Sequence, residues 1–190
     1  MAVVISDMKQ PHPFISRVRA LLLLATLGIA ATAGAKEGAH VHGLVRLHVT
    51  LEAKTLTVQL EAPLDSLLGF EHRPRTPVQK KAAEALLKQM SDGAMLIRPE
   101  VAASCKATTT TVESEALQST KPAAGKQEEH ADLEASFEFT CEQPEKLTFI
   151  EIGLFEAFRR IQKIEVQLAT AKGQSKQTLK RPDKLLRLRR

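Results

Sequence analysis

Alternation of apolar and polar residues with a period of two dominates the chain beyond residue 40. In VHGLVRLHVTL (residues 41–51), Val41, Gly43, Val45, Leu47, Val49 and Leu51 fall on one side. His42, Leu44, Arg46 and His48 fall on the other. This is the pattern of a half-buried strand. TLTVQLEA (55–62) repeats it with Leu56, Val58 and Leu60 inward, and the short connection at 52–54 predicts a hairpin. Pro63 has no amide to give the ladder and ends the second strand. Residues 64–77 read as a loop carrying Gly69, Pro74 and Pro77. Thr76 is then an N-cap with Pro77 at the first helical position. Apolar residues at 78, 82, 83, 86, 87 and 90 continue a helix that Ser91-Asp92-Gly93 stops.

Residues 94–99 suggest a short strand, and the threonine run at 107–112 suits another by propensity. Residues 113–129 are polar and read as an exposed, mobile loop. Alternation returns at 131–141, with Leu133, Ala135, Phe137 and Phe139 on one side. Strands are expected at 147–152, 163–170, 174–180 and 185–189, the middle two joined by a turn at 171–173. The expected fold is therefore α+β and β-rich. Its strands are mostly antiparallel, with one main helix at about 76–91 and a short helical turn near 154–160.

The N-terminus changes the picture. Lys9, Arg17 and Arg19 precede an apolar run over residues 20–33 that closes on Ala33-Gly34-Ala35. A basic region, a short apolar stretch and a small-x-small exit make a signal peptide. The rival reading, a membrane anchor, needs about 20 apolar residues, and this run is shorter and broken by Thr26, Gly28 and Thr32. The chain is expected to be cleaved after residue 35, leaving 36–190 as one periplasmic domain without a membrane anchor. Losing Lys9, Arg17, Arg19 and Asp7 from 27 basic and 22 acidic residues leaves 24 and 21, a formal charge of +3. That near balance, with no Trp or Tyr to stack on bases, argues against a nucleic-acid partner. Cys105 and Cys141 are the two cysteines. In an oxidising compartment they read as one disulfide, or alternatively as a pair of thiolate metal ligands.

Candidate chemistry lies in three groups. His40 and His42 stand two apart, so in an extended segment both imidazoles reach one ion; the alternative is an exposed polar strand end. Glu71 and His72 occupy a turn between Gly69 and Pro74. His130, Asp132 and Glu134 share one strand face, adding oxygen donors; a solvated face is the plainer reading of that group. No GxSxG, HExxH or phosphate-binding glycine loop is present, so an enzyme is not expected.

These residues form a series, HxHG, GFEHxP, HADxEAxFxFxC and IEVQLxT, in that order. Over about residues 38–190 the chain resembles the ZrgA-type proteins, a zinc-regulated periplasmic family of Gram-negative bacteria. The resemblance implies zinc binding linked to zinc acquisition, with relay to a periplasmic or inner-membrane importer component as the partner. Other divalent transition metals remain candidates for the same donors. Carried over motif by motif, it implies His40, His42, Glu71, His72 and His130 as ligands, with Asp132 or Glu134 as oxygen donors or orienting partners. The family's cysteine positions match Cys105 and Cys141. Relatives often carry a His-, Asp- and Glu-rich stretch before the HADxE segment; here 113–129 holds no histidine, which speaks for one structured site over high-capacity storage. The competing expectation is an interaction module without metal, docking on a membrane or transporter partner.

Overall fold

The computed structural model describes residues 41–118 and 131–188. Residues 1–40, with the expected signal segment and His40, and 119–130, with His130 and most of the expected loop, lie outside the described residues. The hairpin forms as its alternation requires: β1 (Leu44–Glu52) pairs antiparallel with β2 (Thr55–Pro63), closing with Glu52 opposite Thr55. α1 (Leu64–Leu68) follows Pro63 directly and ends at the left-handed Gly69. Here the structure departs from the expected loop. Five residues are too few to show helical periodicity, but Leu64, Ser66 and Leu67 are buried, and that burial fixes the turn.

α2 (Pro77–Ser91) starts where Thr76 and Pro77 place it. The Thr76 side chain accepts from Gln79 N at 3.2 Å, and Gln79 Oε1 accepts from Thr76 N at 3.2 Å. This reciprocal cap leaves fewer amides of the first turn unsatisfied. Thr76→Ala is expected to cost about 1 kcal/mol in denaturant unfolding; no measurable loss would mean that Pro77 alone sets the helix start. The strand expected at 94–99 is half helix: α3 (Gly93–Leu96) gives one turn before β3 (Ile97–Pro99).

β4 (Cys105–Glu113) carries the threonine run, and α4 (Glu115–Gln118) forms at the start of the expected loop. β5 (Asp132–Cys141), β6 (Phe149–Ile152), α5 (Leu154–Ala157), β7 (Lys163–Thr170), β8 (Gly173–Lys180) and β9 (Leu185–Arg187) complete the described chain. A disulfide joins Cys105 to Cys141, which stand opposite each other on β4 and β5.

The strands make a six-stranded sheet ordered β4-β5-β2-β1-β7-β8 and a three-stranded sheet ordered β3-β6-β9. Every described pairing is antiparallel except β1 with β7, which is parallel. One face of the large sheet, with Val45, Leu47, Val58, Leu60, Phe137, Phe139, Ile164 and Val166, joins a single core. Leu86 and Met90 of α2 and Ile97, Ile150, Ile152 and Leu186 of the small sheet belong to the same core. The other face of the large sheet is polar.

Candidate metal centre

Strand direction gathers the beginnings of β1, β5 and β7 and the end of β2 at one end of the large sheet. Leu44 stands opposite Lys163, and Pro63 opposite Asp132. α1 grows from this end, and its first amide, Leu64 N, donates to Ala131 O at 2.8 Å. Three stretches that are distant in sequence, 41–44, 63–72 and 131–132, therefore meet here.

Gly43 is the pivot. Its φ of 76° lies in the left-handed region, and a Cβ there would stand 3.1 Å from both Arg160 O and Gln162 Cγ. Its N–H donates to the Ser66 hydroxyl on α1 at 2.9 Å, and its carbonyl accepts from Gln162 N at 2.8 Å. Residues 41–43 are thus a turn, closed by Leu44 N on Val41 O at 3.0 Å. The strand expected from residue 41 begins three residues later, because an L side chain could not hold this backbone at 43. The argument that an extended HVH aligns two imidazoles consequently does not carry to His42.

The turn instead sets His42 against α1. Its Nδ1 lies 2.7 Å from Asp65 Oδ2 and 3.9 Å from Glu71 Oε1. A carboxylate only accepts, so His42 donates from Nδ1, and its Nε2 is left to carry the lone pair in the neutral ring. The His42 side chain is 68% exposed. His72 has the same disposition: Nδ1 lies 2.8 Å from Arg73 O, and a carbonyl likewise only accepts. The Phe70 and His72 rings stack with centroids 5.2 Å apart. Asp65 is held from its other side by Arg160, whose Nε donates to Asp65 O at 2.9 Å and whose Nη2 lies 3.4 Å from Oδ1.

These contacts tune both partners. The hydrogen bond to Asp65, then its charge and that of Glu71, raise the His42 pKa above that of an ordinary imidazole. The hydrogen bond from His42 lowers that of Asp65, with Arg160 adding to it and partial burial opposing it.

The structure thus brings His42 and Glu71 together and adds two residues that the sequence did not mark, Asp65 and Arg160. Asp132 is half-buried at the same end of the sheet, opposite Pro63. Glu134 is exposed further along β5, opposite Glu61 on one side and Glu113 on the other. It shares a shallow groove with these and His48 on the polar face. His40 and His130 are outside the described residues. Among the described residues, no group of three or more His, Cys, Asp or Glu side chains is arranged to hold a metal ion. The described donors fit zinc in kind, imidazoles and carboxylates, and of these the structure brings His42 and Glu71 within 3.9 Å of each other.

Residues 39–188 match the family described as ZrgA family zinc uptake protein. The chain belongs to the ZrgA family. The match spans the turn at Gly43, α1, the turn bearing Glu71 and His72, and all nine described strands, so family membership rests on the domain as a whole. A zinc-related role follows for this ZrgA domain. Comparison with curated proteins returns no match. No helix among the described residues is long and apolar enough to cross a membrane, and the disulfide is consistent with an oxidising compartment.

Proposed function

We propose that this chain is an exported zinc-binding protein that holds the ion in the periplasm and passes it to an importer component. The observation that carries the reading is the 2.7 Å contact between His42 Nδ1 and the Asp65 carboxylate. Zinc-binding histidines commonly donate one ring N–H to a carboxylate, which fixes the tautomer and strengthens the other nitrogen as a donor. His42 is arranged in that way, on a side chain that is mostly exposed. His72, pinned through Arg73 O, is the second imidazole, and Glu71 supplies an oxygen. His40 and His130, with Asp132, are the proposed remaining donors. Asp65 and Arg160 act through His42: the carboxylate orients the ring, and the guanidinium holds the carboxylate in place. Zinc is cargo in this reading and the protein is a carrier, not a catalyst, because an imidazole so exposed to solvent suits exchange of an ion with a partner.

Equilibrium dialysis near neutral pH tests it. The chain is expected to take up about one zinc, and either His42→Ala or His72→Ala should reduce the uptake. No uptake by the folded protein would sink the proposal and leave the interaction module without metal as the better reading. Parallel dialysis against copper and nickel, which imidazole also accepts, establishes which ion the donors prefer.

A further inference from the structure

The outer side of β4 pairs with no strand among the described residues, since β4 ends the large sheet. A nine-residue edge is a template for another strand, and this one carries no charge between Lys106 and Glu113. Its opposite counterpart in the sheet, β8, bears Lys176 and Lys180 along a strand of similar length. By charge the β4 edge is therefore the less guarded of the two, although Val112 O near its end already accepts from Gln118 Nε2 of α4 at 2.9 Å.

β4 is also self-complementary. Its pairing with β5 shifts register between Ala107 and Thr109, so Thr108 is an extra residue. As a result Lys106, Thr109, Thr111 and Glu113 all stand opposite polar-face residues of β5 (Thr140, Glu138, Ser136 and Glu134), while Ala107, Thr110 and Val112 stand opposite Phe139, Phe137 and Ala135. In an antiparallel pair, opposed residues must point to the same face. With a two-fold axis at Thr110, Thr109 meets Thr111 of a second copy and Ala107 meets its Val112. Lys106 then meets Glu113 of the second copy, and every pair shares a face. Without the extra residue Lys106 would fall on the wrong side. A bulge ordinarily discourages edge pairing; here it aligns the charges.

The charges need such a partner. Glu113 faces Glu134, which faces Glu61, and like charges directly opposite are unfavourable in a sheet. Arg46 reaches Glu61 at 3.3 Å, at the far end of that row from Glu113. Lys106 now bridges Glu142 at 3.1 Å, but both side chains are mostly exposed, so the contact is weak and readily exchanged.

We propose that two copies of this chain associate through antiparallel β4–β4 pairing about Thr110, joining their large sheets into one. A contact made by one edge alone lies at the small end of the interface range, so the dimer is expected to depend on concentration. Sedimentation equilibrium of the full-length chain in chelator, which removes any metal bridging, should show a monomer–dimer equilibrium. Lys106→Glu and Glu113→Lys should each weaken it about tenfold, since two opposed pairs become repulsive at once. The double variant, with the charges exchanged, should restore it. Circular dichroism and denaturant midpoints establish that each variant is folded. A chain that stays monomeric at the highest soluble concentration overturns the proposal, as does a dimer that ignores both reversals.

Discussion

Phe137→Ala is expected to destabilise the fold by about 3–5 kcal/mol, against a total of about 5–15 kcal/mol for a domain of this size. Phe137 is fully buried near the middle of β5, with Val58 opposite it on β2 and Thr110 on β4. Its ring also carries α3: a Cβ at Gly93 would come within 2.6 Å of Phe137 Cδ1, so the helix turn rests directly on the ring. Both flanking positions belong to strands whose backbones are fixed by their ladders, and the disulfide ties β4 to β5 four residues away at Cys141. The walls of the resulting cavity therefore have little freedom to collapse, which places the cost toward the upper part of the range. Urea unfolding under non-reducing conditions reads it as a lower midpoint at unchanged slope. A loss below about 1 kcal/mol would show that the core has its centre elsewhere, away from the contact between the large sheet and the helices.

The strands were legible because their chemistry is local. Leu56, Val58 and Leu60 alternate with polar residues and are all buried, and Leu133 to Phe139 do the same on β5. The start of α2 was legible because Thr76 and Pro77 are a cap and a first-turn residue by type. The disulfide was expected from two cysteines in a chain expected to be exported, although their direct opposition on neighbouring strands depends on the register. What the sequence hid is non-local. The parallel pairing of β1 with β7 joins residues more than a hundred positions apart, and no turn between them announces it. α1 is too short to show a period, and its formation depends on burying Leu64 and Leu67.

The candidate site divides in the same way. HxHG and GFEHxP drew attention to His42, Glu71 and His72, and the structure places His42 beside Glu71. The reason offered for His42 was an extended strand, whereas the structure gives a turn at Gly43 that swings the ring onto α1. The glycine of the motif, read as one inward position of that strand, is what makes the contact possible. Asp65 could have been noticed as an acid between two candidate ligand groups; Arg160, in a plain basic stretch, carries no such signal. Both act through a helix that the sequence concealed.

Removing the Asp65 carboxylate is expected to weaken zinc binding by about ten- to a hundredfold without unfolding the protein, the range found when a carboxylate behind a zinc-bound histidine is lost. Asp65→Asn keeps an oxygen able to accept from His42 Nδ1 and should fall near the lower figure; Asp65→Ala, which loses the contact altogether, should approach the higher. The pH dependence separates this role from a structural one. Asp65 raises the His42 pKa, so in the native protein protons compete with zinc for this ring from a higher pH than for an ordinary imidazole. Without Asp65 the ring holds its proton less firmly. The variants should therefore bind zinc more weakly at neutral pH, while their affinity, relative to its own neutral-pH value, begins to fall on acidification at a lower pH than that of the native chain does. A zinc titration across pH 5 to about 8, where imidazoles change charge, shows both effects together. If affinity drops while the acid limb stays where it is, Asp65 serves only to shape α1. If neither changes, His42 is not a zinc ligand.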